Sequence, residues 1–134
     1  MLIRLDDMNL TSWLWHDAEI HFLALHWKRN GEVSLRLRTE INPEEDRSAL
    51  IDRGINSSIV DVEFRRVFRA KIDINADYSP REVILDWTEI QGSSMIVRPA
   101  QNKLFHHRIS CSGGSVFDIV FEQIWIAEAK NDDE

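Results

Sequence analysis

The sequence predicts a single antiparallel β domain of about seven or eight strands, either a sandwich or a partly open barrel, with one short helix at its rim. Two hairpins favour this fold class. The first spans residues 18–40 around the turn Arg-Asn-Gly at 29–31, and the second spans 103–127 around Ser-Gly-Gly at 112–114. Between them, an apolar alternation of period two, typical of strands, runs from 60 to 74.

The register of the first hairpin follows from which residues each loop length would bury. A two-residue turn at Asn30 and Gly31 would place Leu25 opposite Arg36 and bury charge. A three-residue loop keeps one face apolar and puts Gly31 in the left-handed position that such loops require. Its apolar face pairs Trp27 with Val33, Leu25 with Leu35, Leu23 with Leu37 and His21 with Thr39. Its other face pairs Lys28 with Glu32, Ala24 with Arg36 and Ile20 with Glu40.

The same test gives the second hairpin a three-residue loop. A two-residue Gly-Gly turn would place Ile109 opposite Asp118, whereas the longer loop places Arg108 there and forms a cross-strand ion pair. In this register Gly114 is left-handed. The apolar pairs are Ile109 with Phe117, His107 with Ile119 and Phe105 with Phe121.

The remaining elements follow from breaks in the pattern. The long alternation exceeds the usual strand length, so it should bend near Arg65 and Arg66. Further strands are expected at 83–90 and 95–97. The rim helix is predicted over 43–53, capped by Asn42 and ended by Gly54. Residues 5–15 should form a short helix or an irregular lead-in. The domain should span 1–129, with 130–134 a disordered acidic tail.

Charge and composition restrict the partners and the location. The formal net charge of −7 disfavours nucleic acid and suits a basic protein partner. Four basic residues lie close together in the long alternation, at Arg65, Arg66, Arg69 and Lys71. Acidic residues at alternating positions precede them on the same face of the strand. A solvent-exposed face of mixed charge is therefore the simpler interpretation. With no signal peptide, no apolar run of membrane-spanning length and one cysteine, Cys111, a reducing cytoplasm is the expected location. Exposed sheet edges also leave a homodimer open.

No motif in the chain predicts catalysis or a cofactor. The sequence has no GxSxG elbow, phosphate-binding loop or HExxH pair, and Cys111 lies at a hairpin end rather than a helix N-terminus. A metal site would need His21, His107 and a carboxylate such as Glu19 to converge across strands. Both histidines fall on the predicted apolar face, which favours hydrogen-bonded core residues. We therefore predict no catalytic residue, no metal and no cofactor.

The most distinctive segment is Trp-Leu-Trp-His-Asp at residues 13–17. One interpretation is structural, with a tryptophan closing the end of the barrel. The other is a partner surface, because tryptophan is enriched at the energetic centres of interfaces, with nearby acidic side chains steering a basic partner. The candidate partner-binding residues are Trp13, Trp15, His16, Asp17, Glu44 and Glu45.

A family resemblance rests on two short stretches. His-Asp-Ala-Glu-Ile at 16–20 precedes the first hairpin, and Val-Asp-Val-Glu-Phe-Arg-Arg-Val follows at 60–67. This pattern resembles small uncharacterised bacterial β domains, some of which are similar to immunity proteins of polymorphic toxin systems. Many of these domains would carry glycine at the position of Arg66. The resemblance implies a binding function and supplies no catalytic residues.

Three function classes therefore follow from the sequence. The first is a non-enzymatic binding protein, of the kind that neutralises a bacterial toxin. The second is a β-barrel that binds a small apolar ligand and needs an open interior. The third is an enzyme that uses histidine or carboxylate groups. The high aromatic content of the inward faces argues for a filled core and weighs against the second class.

Overall fold

The computed structural model describes residues 2–4, 12–77, 81–96 and 103–129. Its elements in chain order are β1 (Leu2–Arg4), α1 (Ser12–Trp15), β2 (Glu19–Trp27), β3 (Val33–Glu40), α2 (Ser48–Ile51), β4 (Ile59–Asp73), β5 (Ile84–Glu89), β6 (Phe105–Cys111) and β7 (Val116–Glu128). The seven strands of these residues form one antiparallel sheet in the order β2-β3-β4-β7-β6-β5, and β1 also pairs with β7. The predicted mainly β, antiparallel fold class is confirmed.

The two outer strands of this sheet, β2 and β5, approach each other at one end. The Asp17 N–H donates to the Ile84 carbonyl at 2.8 Å, and the Ile84 N–H donates to the Ala18 carbonyl at 2.9 Å. A third bond runs from the Ile20 N–H to the Glu82 carbonyl at 2.9 Å. We call these contacts the seam. Of the two architectures that the sequence left open, the structure agrees with the partly open barrel, because its described strands share one sheet and the outer strands of that sheet meet at the seam.

The first hairpin has the predicted register along most of its length. Trp27 lies opposite Val33, and the alignment continues to Leu23 opposite Leu37. Gly31 has a φ of 87°, which confirms the left-handed loop position. Near the start of β2 a register shift intervenes, and the last pairs are Ile20 with Thr39 and Glu19 with Glu40. The predicted pairs of His21 with Thr39 and Ile20 with Glu40 are therefore wrong.

The second hairpin has the predicted register throughout. The pairs are Ile109 with Phe117, His107 with Ile119, Phe105 with Phe121 and Arg108 with Asp118. Gly114 has a φ of 93°. The predicted ion pair is present, with Arg108 Nε 2.9 Å from Asp118 Oδ1. The three-residue loop therefore fixes which side chains of β6 and β7 share each face.

Strand β4 bends where the sequence predicts it. Arg66 has a φ of 55°, a left-handed value that favours glycine, and the pairing with β7 shifts register between Val67 and Arg69. The Arg66 side chain forms an ion pair with Glu122, with Nε and Oε2 3.1 Å apart. The first part of β4, from Ile59 to Phe64, pairs with β3, whereas almost the whole length of β4 pairs with β7.

Two predicted elements differ from the structure. Helix α2 has four residues instead of the predicted 43–53, because Asn42 caps a turn: its Oδ1 accepts from the Glu44 N–H at 3.1 Å. Gly54, at a φ of 88°, ends the helix as predicted. The predicted strand at 95–97 is wrong for Met95, which lies in a turn. Residues 5–11, Val97 and the predicted tail at 130–134 lie outside the described residues, although α1 is the helical turn of the expected lead-in.

Aromatic side chains fill the interior of the barrel. Trp15 packs on Trp87 with ring centroids 5.0 Å apart, and Phe64 packs on Phe121 at 4.9 Å. Phe64 also lies 5.9 Å from Trp87, so the four rings form one continuous cluster. All four are almost fully buried. Their contacts occupy the space that an internal ligand would need.

Candidate functional site

A groove of about 670 Å³ lies on the face of the sheet opposite to the aromatic cluster. Side chains alternate between the two faces along β6 and β7. His106, Arg108 and Asp118 therefore point away from the core that His107, Ile109 and Phe117 help to fill. We call this feature the basic groove. Its lining residues are Arg69, Ala70, Lys71, Ile90, Gly92, Ser93, Ser94, Met95, His106, Arg108 and Asp118.

A chain of hydrogen bonds crosses the groove from the loop after β5 to the sheet. Ser93 Oγ lies 2.5 Å from His106 Nδ1, and His106 Nε2 lies 2.7 Å from Asp118 Oδ1. A carboxylate only accepts hydrogen bonds, so Nε2 carries a proton. In the neutral imidazole, Nδ1 then accepts from the Ser93 hydroxyl. The backbone N–H of Met95 donates to Ser93 Oγ at 3.1 Å.

The groove carries an excess of positive charge. The negative charge of Asp118 is balanced by Arg108, whose Nε lies 2.9 Å from Oδ1. Arg69 and Lys71 are exposed on β4 beside them. Within the described part of the chain, neither has a carboxylate within 4.0 Å. The groove is thus a local cationic site on a chain whose formal net charge is −7.

The structure corrects the prediction for Trp15 as a partner-binding residue. Trp15 has 0% relative exposure and stacks on Trp87 inside the barrel. Its place is fixed by the seam, because Asp17 and Ala18 bond to Ile84 on β5. A partner cannot reach this side chain in the folded protein. The side chain of Trp13 lies outside the described residues.

The other predicted partner-binding residues lie on the surface but are not joined into one site. His16 and Asp17 are exposed and form a pair, with Nδ1 and Oδ2 3.3 Å apart. Glu44 is exposed and Glu45 half-buried in the turn after β3. No hydrogen bond or ion pair within the described ranges connects either glutamate to His16 or Asp17. These residues therefore remain candidates without a shared geometry.

The two histidines that a metal site would need, His107 and His21, form hydrogen bonds with other side chains instead. His107 is buried, and its Nδ1 accepts from the Trp87 indole N–H at 2.9 Å. His21 Nε2 lies 3.1 Å from Glu40 Oε1. Among residues 2–4, 12–77, 81–96 and 103–129, no group of three or more His, Cys, Asp or Glu side chains is placed to hold a metal ion.

The His107 environment predicts a loss of stability in acid. Burial, followed by the charge of His106, lowers the pKa of His107 from 6.5 to about 4. Because the unfolded chain binds this proton more readily, the stabilisation is present above pH 6.5 and is lost as the pH falls towards 4. The loss from this group is about 3 kcal/mol.

Urea unfolding of the wild type and His107→Gln at several pH values measures this effect. Glutamine keeps an acceptor for Trp87 but does not titrate. The stability advantage of the wild type should therefore shrink by about 3 kcal/mol between pH 7 and pH 4. A constant difference across this range would show that His107 does not titrate with folding.

Cys111 offers no nucleophile. Burial, with a further contribution from Glu82, raises the pKa of its thiol to about 12. At neutral pH the reactive thiolate is therefore scarcely populated.

Comparisons with family models, curated proteins and solved structures found no match. In the part of the chain that the structure describes, no helix has the length and apolar character needed to cross a membrane.

Sequence reasoning missed the basic groove. Arg108 and Asp118 were predicted to pair, and in the same register His106 is a diagonal neighbour of Asp118, since it lies opposite Val120. That relation was the available signal. Ser93 gave none, because it belongs to a loop whose position depends on contacts such as the bond from the Ile90 N–H to the His106 carbonyl.

Proposed function

We propose that this protein is a binding protein of the immunity type and that it holds an acidic segment of a protein partner in the basic groove. The observation that supports this is the exposure of Arg69 and Lys71, without carboxylate partners among the described residues, beside Arg108. Unpaired cations that line one groove attract carboxylates and select against basic partners. The resemblance to immunity-type domains supports the same class.

The groove also has the mixed chemistry of a peptide site. The hydroxyls of Ser93 and Ser94 offer hydrogen bonds, and Ile90 and Met95 offer apolar contact. Guanidinium groups bind carboxylates in well-defined geometry, which adds specificity to the attraction. The net charge of the whole chain favoured a basic partner, but the local charge of the groove leads us to propose an acidic one.

Neutralising Arg69 and Lys71 should weaken binding of an acidic probe. We expect Arg69→Gln combined with Lys71→Gln to reduce the affinity for a short fluorescent Glu-rich peptide at least tenfold, which corresponds to about 1.4 kcal/mol. The loss should shrink as salt is added, because the interaction is electrostatic. Fluorescence anisotropy at two salt concentrations measures both effects.

A matched control is available on the turn after β2. Lys28→Gln with Arg29→Gln removes the same formal charge from exposed residues outside the groove. This variant should bind the Glu-rich peptide like the wild type. Tighter binding of a Lys-rich peptide, or equal losses in both double variants, would refute the proposal.

For the immunity-type class, the test is whether wild type protects cells from a toxin encoded beside its gene while Arg69→Gln/Lys71→Gln does not.

A further inference from the structure

We infer that Ser93 and His106 form a hydrolytic site, positioned by Asp118, that acts on esters carrying an anionic group. This activity goes beyond partner binding, because it breaks a covalent bond of the bound molecule. It stands on the chain of hydrogen bonds from Ser93 Oγ through His106 to Asp118, at 2.5 and 2.7 Å. A hydroxyl, an imidazole and a carboxylate connected in this order are the components of a base-activated serine nucleophile.

The protonation pattern suits a base at His106. Asp118 accepts from Nε2 and is itself held by Arg108, so the imidazole presents an unprotonated Nδ1 to Ser93. His106 is only 3% exposed, which keeps its orientation fixed. Ser93 donates its hydroxyl proton to Nδ1 and accepts one bond, from the Met95 N–H. One lone pair of Ser93 Oγ remains for attack.

The reaction balances without a further reagent. Ser93 Oγ attacks the ester carbonyl carbon as its proton moves to His106 Nδ1. The tetrahedral intermediate then expels the alcohol, which takes that proton from His106. Water, activated in the same way, hydrolyses the acyl–serine and restores the hydroxyl. Asp118 stabilises the transient imidazolium through its bond to Nε2.

The groove indicates which esters would be preferred. Arg69 and Lys71 line the same groove as Ser93 and have no carboxylate partner within the described residues. An ester whose acyl group ends in a carboxylate would bind there with its carbonyl near Ser93. A neutral ester of the same length lacks that attraction.

A fluorophosphonate probe and a pair of nitrophenyl esters test the inference. The wild type should be labelled at Ser93 and should hydrolyse the 4-nitrophenyl monoester of succinate faster than 4-nitrophenyl butyrate. Ser93→Ala should abolish labelling and lower the hydrolysis rate at least about a hundredfold. Ser58→Ala, the same change outside the groove, should do neither. Circular dichroism of both variants confirms that they fold.

The positioning role of Asp118 is tested separately, by the dependence of the hydrolysis rate on pH. In Asp118→Asn the imidazolium loses its carboxylate partner, so the rising limb of the pH–rate profile should move to lower pH while the plateau rate falls. Absence of labelling at Ser93 in the wild type, or equal rates in Ser93→Ala and Ser58→Ala, would overturn the inference. Because Ser93→Ala leaves the cations in place, it should still bind the Glu-rich peptide, which separates this test from that of the binding function.

Discussion

Replacing Trp15 with alanine is expected to destabilise the protein by about 3–5 kcal/mol. Trp15 is fully buried and packs on Trp87, so its removal leaves a cavity at the end of the aromatic cluster. Trp27 provides a matched control, because it is 66% exposed at the end of β2. Trp27→Ala should change stability by no more than about 0.5 kcal/mol. Chemical denaturation of both variants measures the difference.

A second substitution distinguishes cavity formation from loss of the indole N–H. Trp15 Nε1 is buried without a hydrogen-bond partner, so Trp15→Phe removes no bond. This variant should be destabilised much less than Trp15→Ala. If Trp15→Ala were as stable as Trp27→Ala, then Trp15 would not be a core residue.

Removing the Asp61 carboxylate is expected to cost about 3–5 kcal/mol. Asp61 lies opposite Arg38 in the pairing of β3 with β4, and the two side chains meet at 2.7 and 2.9 Å. Both are buried, and the Arg38 guanidinium also lies 4.8 Å from the Phe22 ring centroid. Asp61→Ala leaves that buried cation without its bidentate partner. Equilibrium unfolding in urea measures the loss.

The control for this prediction is a less buried ion pair on the same strand. Glu63 and Arg65 lie 2.6 Å apart but are each about a quarter exposed. Glu63→Ala should therefore cost about 1 kcal/mol or less. Replacing Arg38 and Asp61 together by Met and Leu should recover much of the lost stability, because no unpaired charge is then buried. Similar losses in Asp61→Ala and Glu63→Ala would contradict this account.

The hairpins could be derived from the sequence because their geometry is local. The choice between two and three loop residues decides which face every later residue occupies, and only one choice kept charges such as Arg36 away from Leu25. The pairing predicted for His21 is wrong because a register shift near the start of β2 interrupts the alternation of its residues between the two faces. The residue types alone do not predict such a shift.

The candidate site depends on contacts between distant segments, which a single sequence does not reveal. Ser93 reaches His106 because the loop after β5 folds back over β6, and Arg69 joins them only through the pairing of β4 with β7. The prediction of Trp15 as a partner-binding residue was wrong for a similar reason. Its burial follows from the seam, where Asp17 bonds to Ile84 across a long stretch of chain.

The seam also bears on how the protein avoids self-association. An outer strand normally offers a row of unused backbone N–H and C=O groups on which another chain can add a strand and begin aggregation. At residues 17–20 and 82–84 these groups bond to each other within one molecule. The seam therefore joins the two outer strands to each other. It also makes these backbone groups unavailable for pairing with a strand of another molecule.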